Sequence, residues 1–310
     1  MEKITVVGAG HVGATTAQRI AERELAREVV LVDIVEGLPQ GKALDQWESA
    51  PVQGFDTRVR GSESYEETAG SGLYVVTAGL ARKPGMSRDD LVTKNASIIR
   101  GISEQIRVHS PGAILVMVTN PLDVMAYVAK EVTGFPRRRV VGMAGVLDTA
   151  RFRSFIAMEL QVSVEDVQAL VLGGHGDSMV PVVSTVSVGG IPLTQLLPAE
   201  RIERLVDRTR KGGGEIVGLL KTGSAYYAPS AAAAQMVESI VRDKKRVLPC
   251  AAWLEGEYGL EGLFLGVPCK LGRGGVEAIL QVGLNAEERA ALKRSADAVR
   301  ATMELLGTGF

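Results

Sequence analysis

The stretch Ile4-Thr5-Val6-Val7-Gly8-Ala9-Gly10-His11-Val12-Gly13, read on to Val29-Val30-Leu31-Val32-Asp33, decides the fold. A β-branched run, a glycine turn, an amphipathic run, a second apolar run and an acid follow one another without interruption. Gly8 permits a tight turn. Gly10 lets the backbone approach a pyrophosphate, and Gly13 lets a helix pack close to the sheet with its N-terminus facing the phosphates. Asp33 stands 20 residues after Gly13, where a carboxylate accepts hydrogen bonds from an adenosine ribose. A carboxylate there repels a 2′-phosphate, and no arginine follows it closely, so the pattern favours NAD over NADP. Gly8, Ala9, Gly10, His11, Val12, Gly13 and Asp33 form the expected cofactor set. His11 occupies a variable position and has no expected catalytic role.

Outward from this unit the pattern stays α/β. Residues 57–61, 73–77, 113–118 and 140–142 read as further buried strands, with helices over 90–109 and 123–132 between them. Repeated buried strands with intervening helices predict a doubly wound parallel sheet, a Rossmann domain, over residues 1–145. The second half reads as an α+β domain with mixed or antiparallel strands over residues 146–310. Its expected helices cover 148–160, 198–220 (loosened by Gly212-Gly213-Gly214), 229–241 and a last one from Asn285 to 306. Its expected strands cover 167–172, 180–188, 191–193, 246–254 and 263–270, with a break at Gly274-Gly275.

The totals bound the function. At 310 residues the chain suits two domains of about 150 residues each. Lys plus Arg (35) nearly cancels Asp plus Glu (36), so no global field favours nucleic acid or an anionic membrane. Arg137-Arg138-Arg139 is the densest basic cluster, expected on a solvated loop entering a strand. Aromatics at 5% argue against a stacking platform for bases. Cys250 and Cys269 stand in apolar segments without a CxxC or Cys/His cluster, which argues against a metal site and for a reducing compartment. The opening reads as a strand rather than a signal peptide, and no apolar run approaches the roughly 20 residues that span a bilayer. The cytoplasm is the expected location.

A nicotinamide cofactor needs a proton carrier beside an alcohol or carbonyl. The chain holds three histidines, and His175, in Gly173-Gly174-His175-Gly176-Asp177-Ser178, fits best. The alternative is a satisfied turn histidine among glycines chosen for backbone geometry. A buried carboxylate on the other ring nitrogen would hold the ring and raise its pKa. Asp148 is the candidate, with a helix N-cap as its alternative. Arg151, three residues on, shares its helix face. In an apolar helix that arginine needs an anion: a substrate carboxylate or a structural salt bridge. The loop from Arg82 to Arg88 adds two arginines after a parallel strand, where a lid would close over a ligand. Three converging arginines suit a dicarboxylate, because a lid arginine closed over a methyl group would bury an unpaired charge.

The stretches GAGHVG with Asp33, AGLARKPGMSRDDL, VTNPLD, GVLDTARFR and GGHGDSMVP together resemble the lactate/malate dehydrogenase superfamily, most closely the malate dehydrogenases of lactate-dehydrogenase-like sequence. The likeness covers nearly the whole chain. It implies His175 as the proton acceptor with Asp148 as its partner, Arg151 as the clamp on the C1 carboxylate and Arg88 as the lid arginine that polarises the carbonyl. It implies Asn120 in contact with substrate and nicotinamide, Val118 and Thr119 lining the cofactor, and Asn95 as a further cofactor contact. Arg82 stands where lactate dehydrogenases typically carry glutamine, and so implies a second substrate carboxylate. Ala225 aligns with a threonine on the far pocket wall of many lactate dehydrogenases. The family likeness implies a homodimer or homotetramer. The rival expectations are the same fold acting on another 2-oxo acid such as pyruvate, and a non-catalytic NAD-binding sensor.

Overall fold

The computed structural model describes residues 1–80 and 88–309; Arg82 and the rest of the 81–87 loop lie outside the described residues. The first half runs β1 (Lys3–Val7), α1 (His11–Glu22), β2 (Glu28–Val32), α2 (Leu38–Glu48), α3 (Ala50–Gln53), β3 (Arg58–Ser62), β4 (Leu73–Val76), α4 (Arg88–His109), β5 (Ile114–Met117), α5 (Leu122–Thr133) and β6 (Val140–Gly142). These six strands pair in parallel in the order β6-β5-β4-β1-β2-β3. Every residue of β4 and β5 is buried, as expected of strands covered by helices on both faces. The order reverses beside β1, so the crevice outside its carboxyl end is the place where such sheets bind ligands.

The second half begins with α6 (Gly145–Leu160). The short strands β7 (Val167–Gln168), β8 (Val171–Leu172), β9 (Val180–Pro181), β10 (Ser187–Val188) and β11 (Ile191–Pro192) follow. Then come α7 (Leu193–Leu196), α8 (Ala199–Leu220), α9 (Tyr227–Val241), β12 (Arg246–Glu255), β13 (Glu261–Gly272), β14 (Gly275–Ile279) and α10 (Ala286–Met303). Asn285 caps α10 through a capping box with Glu288, which satisfies two orphan donors reciprocally.

The structure departs from the sequence expectation in five places, the first being residues 180–188, which form β9 and β10 with a 3-10 turn between them rather than one strand. The two halves share one sheet: β12 pairs antiparallel with β6 at Ala251↔Gly142, and β13 and β14 extend it further. Gly142 makes the join possible, since a Cβ there would lie 2.9 Å from the Ala251 Cβ. One apolar cluster accordingly runs from Ile4 and Leu31 through Met236 to Leu265 and Leu292. Residues 167–172 form two short strands in different sheets, because the Val171 N–H turns to the Thr149 hydroxyl (2.9 Å). Gly274-Gly275 belongs to a hairpin rather than a break: Arg273-Gly274 is the turn between β13 and β14, and Gly275 pairs with Gly272. Helix α2 escaped the pattern because it buries only Pro39 and Ala43, too few positions for a 3.6-residue period to register. Among the described residues no helix is long and apolar enough to cross a membrane, and no His/Cys/Asp/Glu group has the makings of a metal site.

Candidate active site

The glycine turn after β1 closes as its residues dictate. Gly8 has φ +102°, and a Cβ there would lie 2.7 Å from both the Ala78 nitrogen and the Thr77 hydroxyl. A Cβ on Gly13 would fall 1.8 Å from the Gly8 carbonyl oxygen, so the first turn of α1 sits on the turn itself. Gly10 differs: its Cβ direction meets nothing within 4 Å. Gly10 is also the N-cap of α1 and has no side chain to offer. The N–H groups that open α1 therefore have no side-chain cap, and open space lies beside Gly10, the arrangement that receives a phosphate. Asp33 braces the turn. Its Oδ2 accepts from the Ala9 N–H (2.6 Å) and its Oδ1 from the Val35 N–H (3.1 Å). A carboxylate has about four acceptor sites, so capacity for ribose hydroxyls remains. The Lys42 ammonium donates to the Ala9 carbonyl (2.7 Å). From the other half, the Ser230 hydroxyl reaches the Val12 carbonyl (3.0 Å), and Tyr226 stacks on His11 at 4.8 Å. The residues present thus fit a dinucleotide.

The next wall comes from the ends of β4 and β5. The Thr119 hydroxyl donates to the Ala78 carbonyl (2.6 Å), and Val118 continues the ladder through its N–H to the Val76 carbonyl. Asn95, 1% exposed, takes the Leu80 N–H on Oδ1 (2.8 Å) and donates from Nδ2 to the carbonyls of Leu80 (3.1 Å) and Asn120 (2.7 Å). Through these bonds Asn95 fixes the backbone of Leu80 and Asn120. The Asn120 side chain is exposed and among the described residues engages no partner. Arg88 opens α4.

His175 comes to the same face on a turn held from four sides. The turn bridges to β13 through reciprocal N–H···O bonds between Gly173 and Gly266 (2.9 and 3.0 Å). The Gly174 N–H donates to the Ser295 hydroxyl of α10 (2.8 Å). The His175 N–H donates to Asp123 Oδ2 (2.9 Å), and the ring Nδ1 meets Asp148 Oδ2 at 2.8 Å. Asp148 is fully buried in the first turn of α6, whose cap position belongs to Ala144, so the N-cap alternative fails. Its other oxygen takes Arg151 Nη1 at 3.3 Å. Arg151 is largely covered, and its Nε is buried without a partner among the described residues. Space for it comes from α8: a Cβ on Gly212 would lie 3.3 Å from the Arg151 Cδ, and one on Gly213 3.6 Å from Nη2. Gly212 leaves room for an arginine in an unbroken helix, whereas the Cβ direction of Gly214 meets nothing within 4 Å.

An ionised carboxylate only accepts, so Nδ1 carries hydrogen toward Asp148 and Nε2 is the nitrogen left to exchange a proton. Burial pushes the His175 pKa down. The Asp148 charge and hydrogen bond, with help from Asp123, outweigh burial and the Arg151 charge and hold it above the ordinary histidine value. Asp123, 5% exposed, is pushed up by burial to about 6 despite the His175 N–H. Its Oδ1 has no partner among the described residues. Asp123 is the site residue that sequence reasoning missed. It belongs to the quoted VTNPLD stretch, but an acid in the first turn of a helix reads as an ordinary dipole partner. The Cβ direction of Gly174 is filled by Val299 of α10 at 2.7 Å, whereas that of Gly176 is open.

Known proteins match over this whole assembly. Residues 2–142 match the lactate/malate dehydrogenase NAD binding domain, and residues 145–307 the alpha/beta C-terminal domain of the same family. A malate dehydrogenase of Chloroherpeton thalassium is 63% identical over 97% of each chain, and one of Roseiflexus sp. is 59% identical over 98% of each. The solved malate dehydrogenase of Salinibacter ruber is 57% identical and superposes with a TM-score of 0.94 over 98% of this chain and 97% of that one. The Cryptosporidium parvum lactate dehydrogenase solved with lactic acid and NAD is 42% identical, with a TM-score of 0.96 over 100% of this chain and 99% of that one. With a dinucleotide turn and a histidine–aspartate–arginine cluster on one cleft, the chain belongs to the lactate/malate dehydrogenase family, its NAD-binding domain in residues 2–142.

Proposed function

We propose that the chain is an NAD-dependent malate dehydrogenase that interconverts (S)-malate and oxaloacetate. The observation that carries this reading is the shared carboxylate of Asp148, with His175 on one oxygen (2.8 Å) and Arg151 on the other (3.3 Å). NAD, when bound, supplies the hydride acceptor at its nicotinamide. The chain's own residues do the rest. Arg151 fixes the substrate C1 carboxylate in a planar fork. That places the C2 hydroxyl toward His175 Nε2, which takes the hydroxyl proton in oxidation and returns it in reduction. Asp148 stabilises the imidazolium that forms. Asn120, positioned by Asn95, contacts the reacting centre. Val118 and Thr119 shape the cofactor wall. Gly8 to Gly13 with Asp33 hold the adenosine and pyrophosphate. Arg88 polarises the carbonyl, and Arg82 takes the second carboxylate.

A division at residue 145 separates the cofactor half from the proton and carboxylate half. The free buried thiols of Cys250 and Cys269 support a reducing cytoplasm and a place in central dicarboxylate metabolism. Exposed apolar side chains on α2 and α3, Leu44 (57%) and Val52 (86%), support a homo-oligomer.

The test is an NADH absorbance assay with oxaloacetate and pyruvate in parallel. Wild type is expected to prefer oxaloacetate strongly, and R82Q to shift the kcat/KM ratio toward pyruvate by roughly 10²-fold or more, as loss of an ion-pairing partner predicts. R82Q that keeps the full preference removes Arg82 from the specificity role. Wild type that binds NADH but turns over no 2-oxo acid favours the sensor.

A further inference from the structure

A second cationic site lies at the opposite end of the sheet. Gly8 and Asn120 follow the last residues of β1 and β5, whereas Ile114 and Val140 open β5 and β6. A cavity of about 390 Å³ at that opening end is walled by Arg138, Arg139 and Arg273, with Gly112, Gly274 and Glu277 beside them. It falls within the size range of small-molecule sites.

The arginines differ in what they already hold. Arg137 is neutralised outside the cavity by Glu257 (2.9 Å) and Glu255 (3.3 Å). Arg139 is anchored, its Nη1 donating to the carbonyls of Pro111 (2.8 Å) and Ala113 (3.3 Å) and its guanidinium stacked on Phe135 at 4.4 Å. Neither contact supplies negative charge. Among the described residues the Arg138 side chain has no hydrogen bond or ion pair, and the Arg273 charge acts on Asp243, a carboxylate that Lys245 already holds at 2.9 Å. The one carboxylate at the wall, Glu277, is taken by Lys245 (2.6 Å) and approached by Lys270 (3.8 Å). Three arginines therefore line one cavity, and the acid near Arg273 is shared with Lys245, so the cavity wall carries an excess of positive charge.

Backbone fit holds this repulsive arrangement together. Gly275 has φ +90°, and a Cβ there would fall 2.0 Å from the Arg138 carbonyl oxygen. The β13–β14 turn that carries Arg273 is thus pressed against the turn that carries Arg138 and Arg139. Like charges held at close quarters cost stability unless an anion completes the set.

We propose that this cavity binds a compact multivalent oxyanion of the phosphate class, gripped by the forks of Arg138 and Arg273 over the anchored Arg139. Guanidinium forks match the oxygens of phosphate bidentately. The site is separate from the NAD cleft and gives the enzyme an anion-responsive surface away from its chemistry.

The probe is inorganic pyrophosphate, titrated calorimetrically into protein saturated with NADH so that the N-terminus of α1 is already covered. Wild type is expected to bind at submillimolar concentration, more weakly as salt rises. R138A/R273A is expected to bind at least roughly tenfold more weakly. R151A, altered only in the candidate active site, is expected to bind as wild type does. No heat from wild type up to millimolar pyrophosphate, or equal affinity in R138A/R273A, overturns the proposal, and so does loss confined to R151A. If the double alanine variant fails to fold, R138K/R273K decides: it keeps the charge and loses the planar forks, and unchanged affinity overturns the proposal.

Discussion

Two glycine turns face the same cleft, and they are built on different terms. In the turn from Gly8 to Gly13 the decisive contacts are local. Gly13 sits on the Gly8 carbonyl, and the bracing acid Asp33 is 24 residues from Ala9. In the turn from Gly173 to Gly176 the partners come from across the chain: Asp148 27 residues away, Asp123 52 and Ser295 121. A locally closed turn carries its own explanation in sequence. A turn closed by distant side chains shows only its glycines, and their reason lies elsewhere.

The largest test of the distant turn is H175N. If Nε2 is the proton carrier, kcat falls in both directions by about 10³-fold, the range of general acid–base catalysis. NADH affinity, which belongs to the local turn, stays within a factor of a few. Stopped-flow turnover beside fluorescence titration of NADH separates the two, and full turnover by H175N would end the mechanism. D148N comes next, with kcat lowered by about 10²-fold. The Asp148 carboxylate raises the His175 pKa, so neutralising it lowers that pKa. Malate oxidation requires neutral histidine, and its acidic limb moves to lower pH in D148N. Oxaloacetate reduction requires imidazolium, and its alkaline limb moves the same way. Limbs that stay in place, or move to higher pH, would take Asp148 out of the pairing.

The glycine turns themselves can be set against each other. Gly13→Ala drives a methyl into a backbone carbonyl at 1.8 Å and is expected to cost about 1–3 kcal/mol of stability, the usual range for overpacking. Gly10→Ala meets nothing within 4 Å. It is expected to leave urea stability unchanged while weakening NADH, because the methyl occupies the direction from which the pyrophosphate approaches. The reverse pattern would mean that the open side of Gly10 is not the ligand side.

How much could be read in advance follows the same division. The strand, turn, helix and acid around Gly8 were legible because each cue lies within one βαβ unit. Asp148 and Arg151 were legible as a pair because three residues on a helix bring them to one face. The continuity of the sheet through Gly142 and Ala251 was not legible, since one missing Cβ decides it 109 residues away in sequence. Gly212-Gly213-Gly214 reads as a weak point in a helix, because the arginine for which Gly212 leaves room lies on another element. Asp123 carries no local mark that separates it from a first-turn acid, and only its burial beneath α10 makes it unusual.

Asp123 also gives the smallest and most selective test. Its folded pKa of about 6 lies above the ordinary 3.8. A carboxyl raised in this way contributes stability that is complete below about pH 4 and lost as pH rises through about 6. In wild type, ionisation of a buried carboxylate with one bare oxygen therefore weighs against folding near neutrality. D123N keeps an oxygen for the His175 N–H and removes that titration. His175, with its own raised pKa, adds a loss of stability with rising pH that is smaller in D123N, because the Asp123 charge helps to raise that pKa, so both effects make D123N gain on wild type as pH rises. Urea melts at pH 5 and pH 7.5 are expected to show D123N gaining on wild type by on the order of 1 kcal/mol between the two. A difference that stays constant would mean that Asp123 is ionised throughout, with its second oxygen satisfied. In that case the anchor of the His175 backbone would be an ordinary buried hydrogen bond rather than a charge beside the proton carrier.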